Sequence, residues 1–250
     1  MRPGRRSERG TAHRAPSPSA VLAAWDPLDR ALAAYSAGRV EAILTVRTDV
    51  GEPEEQAVAV FFRAPEQMPP VEWAALSTAR GRVLDLGAGV GVHAQELAAR
   101  GLEVTAAEPL PTAAAIMKES GLTDVRQGGL EALATDERFD TVMLLMNGAG
   151  LAGSLEGVPG LLDRLRGCLS PNGQVLMDST DPRNWEESED GRYPGEIHYQ
   201  LEFQGEKGPP FPFLFVDPDT LGRVAAEEGW AMEVLVEEED GRYLARLTRA

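Results

Sequence analysis

Cysteine is nearly absent from this chain: Cys168 is the single one in 250 residues. One thiol supports neither an internal disulfide nor a cysteine-based metal site, and in a helical stretch it packs as a small apolar side chain. Such usage fits a reducing, cytoplasmic compartment. Histidine is scarce as well. His13, His93 and His198 are scattered, with no carboxylates at ligand spacing, so no metal site is expected. Long apolar runs are missing, which argues against a membrane span. The N-terminus, with Arg2, Arg5, Arg6, Arg9 and Arg14 among Pro, Gly and Ser, lacks the apolar stretch of a secretion signal and reads as a disordered tail over 1–19. Basic charge is the minority, 24 Lys and Arg against 40 Asp and Glu for a formal net charge of −16. The tail holds five Arg and one Glu, which leaves 19 basic and 39 acidic residues, a net −20, for the remainder. A surface of that sign repels phosphate backbones, so nucleic-acid partners are disfavoured and a small-molecule ligand is expected.

What the chain does have is a 43% hydrophobic content, enough for one α/β domain with an accessory element, and an unusual glycine spacing. In Arg82-Val83-Leu84-Asp85-Leu86-Gly87-Ala88-Gly89-Val90-Gly91-Val92-His93 a short apolar run meets three glycines at alternate positions. The apolar run predicts a buried parallel strand, the glycines a tight turn that lets backbone approach a ligand closely, and 90–100 a helix whose first-turn N–H groups suit an anion. A dinucleotide fingerprint needs G-x-G-x-x-G, and Val92 stands where its third glycine belongs. About twenty residues on, the stretch 102–110 alternates and then runs apolar up to Glu108-Pro109. A carboxylate at the end of a second strand accepts hydrogen bonds from both ribose hydroxyls, which makes Glu108 the sugar-binding candidate.

The pattern Asp85-x-Gly87-x-Gly89-x-Gly91 resembles motif I of the class I S-adenosylmethionine-dependent methyltransferases. In that family the glycine turn, here Gly87, Ala88, Gly89 and Gly91, packs against the methionine part of the cofactor, and the acid, here Asp85, helps hold its amino group. Three later segments are similar to the rest of the family pattern. After a helix near 112–119, the run 124–131 resembles the third strand and adenine turn, with Gly129 and Leu130 as contacts although the family usually carries Asp where Gly129 stands. The run 139–148 resembles the fourth strand, and its end from Met146 to Gly150 would lie beside the transferable methyl group. Finally, 161–169, Ser170-Pro171-Asn172-Gly173 and 174–179 resemble a helix, a turn and the fifth strand. The strings 145–157 and 195–200 are similar to a group of bacterial methyltransferases. S-adenosyl-L-methionine as cofactor, and methyl transfer to an N or O atom of a small molecule, are what the resemblance implies. The alternatives are a dinucleotide-dependent oxidoreductase and a non-catalytic cofactor-binding protein of the same fold.

The expected fold is α/β, a Rossmann-like seven-stranded methyltransferase sheet with helices on both faces and the last strand antiparallel, plus a small N-terminal helix and β-hairpin. Leu28, Leu32 and Tyr35 share one face of a helix within 20–38, with Asp26-Pro27 fitting its start. The stretches 40–48 and 57–62 predict a hairpin across the acidic turn 49–55, and a helix over 70–79 leads into the first central strand. Past 179 come a polar loop over 181–194, strands over 196–204 and 211–216, a helix from Asp217 to 229, and a hairpin of 230–236 with 243–248. The expected division is a tail (1–19), an accessory element (20–69) and the methyltransferase domain (70–250), with 181–216 as a substrate cap. Either the 40–62 hairpin joins 196–216 in an antiparallel cap, or 196–204 extends the main sheet.

For the chemistry, the family logic places Asn147 by the acceptor, with stabilisation of the turn before Gly148 as the equal alternative, and His198 in the cap reads either as a base near neutral pH or as an exposed strand histidine, since alternation turns only one of His198 and Tyr199 toward the site. Asp178 reads either as a base or as a strand-end acceptor for backbone N–H groups. His93 reads either as a cofactor neighbour or as helix packing. Phe211, Phe213, Phe215, Trp185 and Tyr193 read as pocket lining or cap core, and 186–190 as a solvated loop.

Overall fold

The computed structural model describes residues 17–185 and 191–250. The tail reading for 1–16 and the loop reading for 186–190 lie outside these residues. In chain order the elements are α1 (Pro18–Ser36), β1 (Ile43–Thr48), β2 (Glu54–Ala57), α2 (Pro70–Thr78), β3 (Arg82–Leu86), α3 (Val92–Ala99), β4 (Glu103–Glu108), α4 (Pro111–Glu119), β5 (Val125–Gln127), β6 (Phe139–Leu144), α5 (Val158–Cys168), β7 (Leu169–Thr180), β8 (Glu196–Phe203), β9 (Glu206–Lys207), β10 (Phe211–Leu214), α6 (Pro218–Glu227), β11 (Trp230–Glu237) and β12 (Arg242–Arg249).

Seven strands form the main sheet in the order β11-β12-β7-β6-β3-β4-β5. Strands β3 to β7 run parallel, and β12 is antiparallel to both of its neighbours. The chain steps outward from β3 through β4 to β5, then returns to β6 on the other side of β3, so the direction of winding reverses there and opens a crevice at the strands' carboxyl ends. Side-chain alternation sorts the two faces. Val83, Met143, Leu176 and Leu244 pack with Val71, Ala75 and Leu76 of α2 and Leu97 of α3. Leu84, Val142, Leu144, Val175 and Met177 pack with Leu161, Leu162 and Leu165 of α5 and Leu221 and Val224 of α6. Asp217 caps α6 through a 2.9 Å bond from Thr220 N, and Pro218 follows it at the first helical turn, where its missing N–H costs nothing.

A second, antiparallel sheet has the order β10-β8-β1-β2, with β9 on β8. It joins the N-terminal hairpin to the strands after 196, which is the first of the two arrangements expected. Its registers put Leu44, Val46, Ile197, Tyr199, Leu201, Phe203, Phe211 and Phe213 on one face and Arg47, His198, Gln200 and Glu202 on the other. The apolar face meets Leu28, Ala31 and Leu32 of α1, which in turn reach Ala113 of α4 and Val90 of the glycine turn. Asp29 of α1 accepts from Thr112 N and Thr112 Oγ1, both at 2.9 Å, so the accessory helix caps α4 from outside. At the other end of the cap, the ring of Phe213 lies on Gly150, just beyond β6.

Four local expectations are corrected. Helix α1 starts at Pro18 behind Ser17, whose Oγ accepts from Ala20 N at 3.3 Å, so 17–19 belong to the helix start and Pro27 sits inside it. Gly208 packs closely on this part of the helix: a Cβ there would lie 2.7 Å from Ala24 O and 3.2 Å from Pro27 Cδ. The second hairpin arm is β2, and Val58–Phe62 is a 3-10 turn. Three residues per turn bring Val58 and Phe61 to one side, and Phe62 stacks on Tyr35 at 4.4 Å between centroids. Helix α3 begins at Val92 because Gly91, at φ +85°, cannot carry a right-handed helix backwards. The segment Ser170-Pro171-Asn172-Gly173 is drawn into β7 as an irregularity, since Phe139 pairs with Leu169 and Thr141 with Gln174.

Candidate functional site

Strand β3 delivers its turn to the carboxyl end of the sheet. Gly87 N and Ala88 N both bond to Ala107 O, at 2.8 and 3.2 Å, which pins the turn against β4. Gly87, Gly89 and Gly91 have φ of +75°, +55° and +85°, conformations that cost other residues about 1–2 kcal/mol each. Their roles differ. A Cβ on Gly91 would lie 2.6 Å from Met117 Cγ, so that glycine serves packing and the helix start, whereas a Cβ on Gly87 or Gly89 meets nothing within 4 Å. The turn is open where a ligand would lie.

Two carboxylates frame that opening. Glu108, 5% exposed, accepts from Gly89 N through Oε2 and from Leu110 N through Oε1, both at 2.9 Å. Burial pushes its carboxyl up to about 7, the two N–H groups oppose that, and the charges of Asp85 and Asp29 add to it. Pro109 follows directly, and Gly128 N bonds to Glu108 O at 3.0 Å, which brings the turn after β5 alongside. Asp85, 2% exposed, has an Oδ2 without any hydrogen-bond partner. Burial raises its carboxyl from the ordinary value, opposed by the charge of His93 and the N–H of Ala94 in the first turn of α3, while the charge of Glu72 adds to the rise. A buried oxygen left in that state costs about 1–3 kcal/mol, which a cationic donor would recover.

The end of β6 is built differently. Met146 and Asn147 are successive non-glycine residues at φ +65° and +63°. Asp178, reaching over from β7, holds this strained pair by accepting from Met146 N at 3.1 Å and Gly148 N at 2.9 Å. Asp178 is thus the strand-end acceptor of the two roles considered, and burial pushes it up to about 6 against those N–H groups. Asn147 Oδ1 accepts from Thr180 Oγ1 at 2.8 Å.

The remaining candidates fall in two groups. Gly129 N donates to Glu131 Oε1 at 2.8 Å, and Leu130 opens the short turn Leu130–Ala132 beside Glu108. Strand alternation turns His198 away from the apolar face that carries Tyr199, and it sits half-exposed with Nδ1 3.1 Å from Asp49 Oδ2, as the second of its two readings has it. His93 is buried in α3 with Nε2 2.7 Å from Glu72 Oε2. Tyr199 stacks on Phe213 at 4.6 Å in the cap's interior, and the buried Phe215 meets the exposed Trp185 at 4.9 Å. Tyr193 instead donates its hydroxyl to Asp217 Oδ2 at 2.6 Å. Cys168 is buried, and its thiol is pushed up to about 11 by that burial. Sequence reading missed the Arg63–Glu72–His93 contacts, since Arg63 and Glu72 lie in segments read only for secondary structure. None of the described helices is long and apolar enough to cross a membrane.

A reversed winding at β3, an alternating glycine turn, and a buried acid at the end of β4 define the Rossmann-like class of S-adenosylmethionine-dependent methyltransferases. Residues 63–233 match the family described as "Methyltransferase domain", and the chain belongs to it. The chain is 38% identical to an S-adenosylmethionine-dependent methyltransferase from Bacteroides fragilis solved with S-adenosyl-L-homocysteine. That match has a TM-score of 0.83 and covers 91% of this chain and 96% of the other. It is 37% identical over 119 residues to a ubiquinone biosynthesis O-methyltransferase of Stutzerimonas stutzeri (44% of this chain, 48% of the relative). It is 31% identical over 107 residues to a cypemycin N-terminal methyltransferase of a Streptomyces species (42% and 44%). The chain thus spans about half the length of these curated relatives.

Proposed function

We propose that this chain transfers a methyl group from S-adenosyl-L-methionine to a nitrogen or oxygen atom of a small-molecule acceptor. The observation that carries the reading is the unpartnered Asp85 Oδ2, buried behind an open glycine turn and matched in charge to an ammonium group. Asp85 would hold the amino group, and Gly87, Ala88 and Gly89 would face the amino-acid end, with Gly91 setting the helix start behind them. Glu108 and Pro109 would take the sugar, Gly129 and Leu130 the adenine, and Met146 the neighbourhood of the sulfur. When bound, the cofactor supplies an electrophilic methyl group on a positively charged sulfur.

The protein's own task is then to align an acceptor with that methyl group and exclude water. Asn147 is the proposed acceptor contact: its Oδ1 takes one hydrogen bond from Thr180 and retains a second lone pair for an amine or hydroxyl. The cap sheet, built from the accessory element and the segment within 181–216, would cover the acceptor. The formal charge of −16 favours a neutral or cationic small molecule in a cytoplasmic setting over nucleic acid. Both relatives named for their activity are methyltransferases, one acting on oxygen by name. The test is turnover: the full chain, given methyl-labelled S-adenosylmethionine and a metabolite extract, should label a small molecule. Tight cofactor binding without any labelled product would favour a non-catalytic role.

A further inference from the structure

Beneath the glycine turn lies a run of buried charge to which the cofactor reading gives no task. Arg63, leaving the 3-10 turn Val58–Phe62, donates from Nη2 to Glu72 Oε1 and from Nη1 to the carbonyl of Val60. The other oxygen of Glu72, on α2, lies 2.7 Å from His93 Nε2 on α3. The three side chains are only 7%, 5% and 5% exposed. Glu72 is held below the usual carboxylate range by His93 and Arg63 in spite of its burial. An ionised carboxylate only accepts, so Nε2 of His93 carries the hydrogen of that bond.

Such a group is costly to assemble. Each ion taken from water costs several kcal/mol, and well-packed apolar residues of the same volume commonly do as well for stability. A role beyond stability is therefore sought, and the geometry shows where it points. Asp85 shares with Val83 the face of β3 that looks toward α2 and α3, its Oδ2 is unpartnered, and the charges of His93 and Glu72 act on it with opposite signs.

We propose that Arg63, Glu72 and His93 are positioning residues acting through Asp85: Arg63 fixes Glu72, Glu72 holds His93 in the first turn of α3, and this buried clamp sets the start of α3 and the glycine turn against Asp85 so that its free oxygen meets a cationic amino group on the ligand. The relay rests on the assignment of Asp85 to the amino-acid end of S-adenosylmethionine made above. None of the three touches the cofactor in this scheme. Because Arg63 leaves the segment whose Phe62 packs on Tyr35 of α1, the relay also ties the anchoring of the cap to the ammonium site.

The test compares two ligands that differ at that end. S-adenosylhomocysteine carries the amino acid; 5′-methylthioadenosine is a similar nucleoside thioether without it. In calorimetric titrations of the full chain, His93→Gln and Glu72→Gln should each weaken S-adenosylhomocysteine binding roughly tenfold or more, with 5′-methylthioadenosine affinity unchanged. The second ligand doubles as a check that the variants fold. In an Asp85→Asn background, His93→Gln should add no further loss, as expected of residues acting as one unit. Equal losses for both ligands, no loss for S-adenosylhomocysteine, or additive losses in the double variant would overturn the relay. A wild-type chain that fails to bind S-adenosylhomocysteine would overturn the cofactor reading instead.

Discussion

At the scale of single residues, the site is a set of carboxylates whose surroundings set them different tasks. Glu108 has an ordinary value of 4.5 in the unfolded chain and about 7 in the fold. The native state therefore holds the proton that the unfolded state has released, and stability falls as pH rises from about 4.5 through about 7. The loss is about 3 kcal/mol. Glu108→Gln should flatten this part of the slope, read as unfolding midpoints in urea at pH 5 and pH 8; an unchanged slope would mean the carboxylate is solvated. Asn147 is a residue with two readings that substitution separates. At φ +63° a valine is strained by about 1–2 kcal/mol, while glycine is relaxed, so Asn147→Val should lower the thermal midpoint and Asn147→Gly should leave it nearly unchanged. If Asn147 contacts the acceptor, Asn147→Gly should still lower kcat about tenfold with cofactor affinity intact. Retained kcat would reduce Asn147 to a turn former.

Between elements, the joint that matters most is the one between cap and sheet. Gly150 follows β6 and bears the ring of Phe213 from β10; a Cβ at Gly150 would lie 2.1 Å from Phe213 Cζ, far inside contact distance. Gly150→Ala should push β10 off the sheet at a cost of about 1–3 kcal/mol, lowering kcat/KM while cofactor affinity, which depends on β3 and β4, is kept. Loss of cofactor binding in that variant would show that the cap belongs to the cofactor site as well. Elements were also where sequence reading succeeded and failed for visible reasons. Strand β3 was legible because a buried parallel strand needs a continuous apolar run, and the glycine turn because positive φ leaves few alternatives to glycine, whereas β5 to β7 were placed by the family resemblance, β5 (Val125-Arg126-Gln127) having no apolar run of its own. The run Val58-Ala59-Val60-Phe61-Phe62 reads as a strand by composition, yet its partners are α1 side chains, and only the fold supplies those. Pro27 was read as a helix start because proline is usual in a first helical turn and rare in a helix interior. The left-handed pair Met146 and Asn147 gave no signal, since its support, Asp178, lies on another strand. His198 kept two readings because only the register shows which of His198 and Tyr199 shares the apolar face.

For the molecule as a whole, two sheets share one task. The seven-stranded sheet presents its carboxyl-end crevice, and the antiparallel sheet, with α1 packed between it and α4, stands against the same end through Val90 on one side and Gly150 on the other. This places the accessory element, which lies mostly outside the matched residues 63–233, in contact with the turn that the account makes the cofactor's seat. The central claim is that the open turn at Gly87 and Gly89 is that seat. Gly89→Val tests it directly, because its Cβ enters space that no protein atom occupies within 4 Å. In calorimetric titration the wild-type chain should bind S-adenosylhomocysteine at one site and ignore NAD, and the variant, still folded by circular dichroism, should lose the heat of binding. A variant that retains wild-type affinity, or a wild-type chain that prefers NAD, would contradict the account.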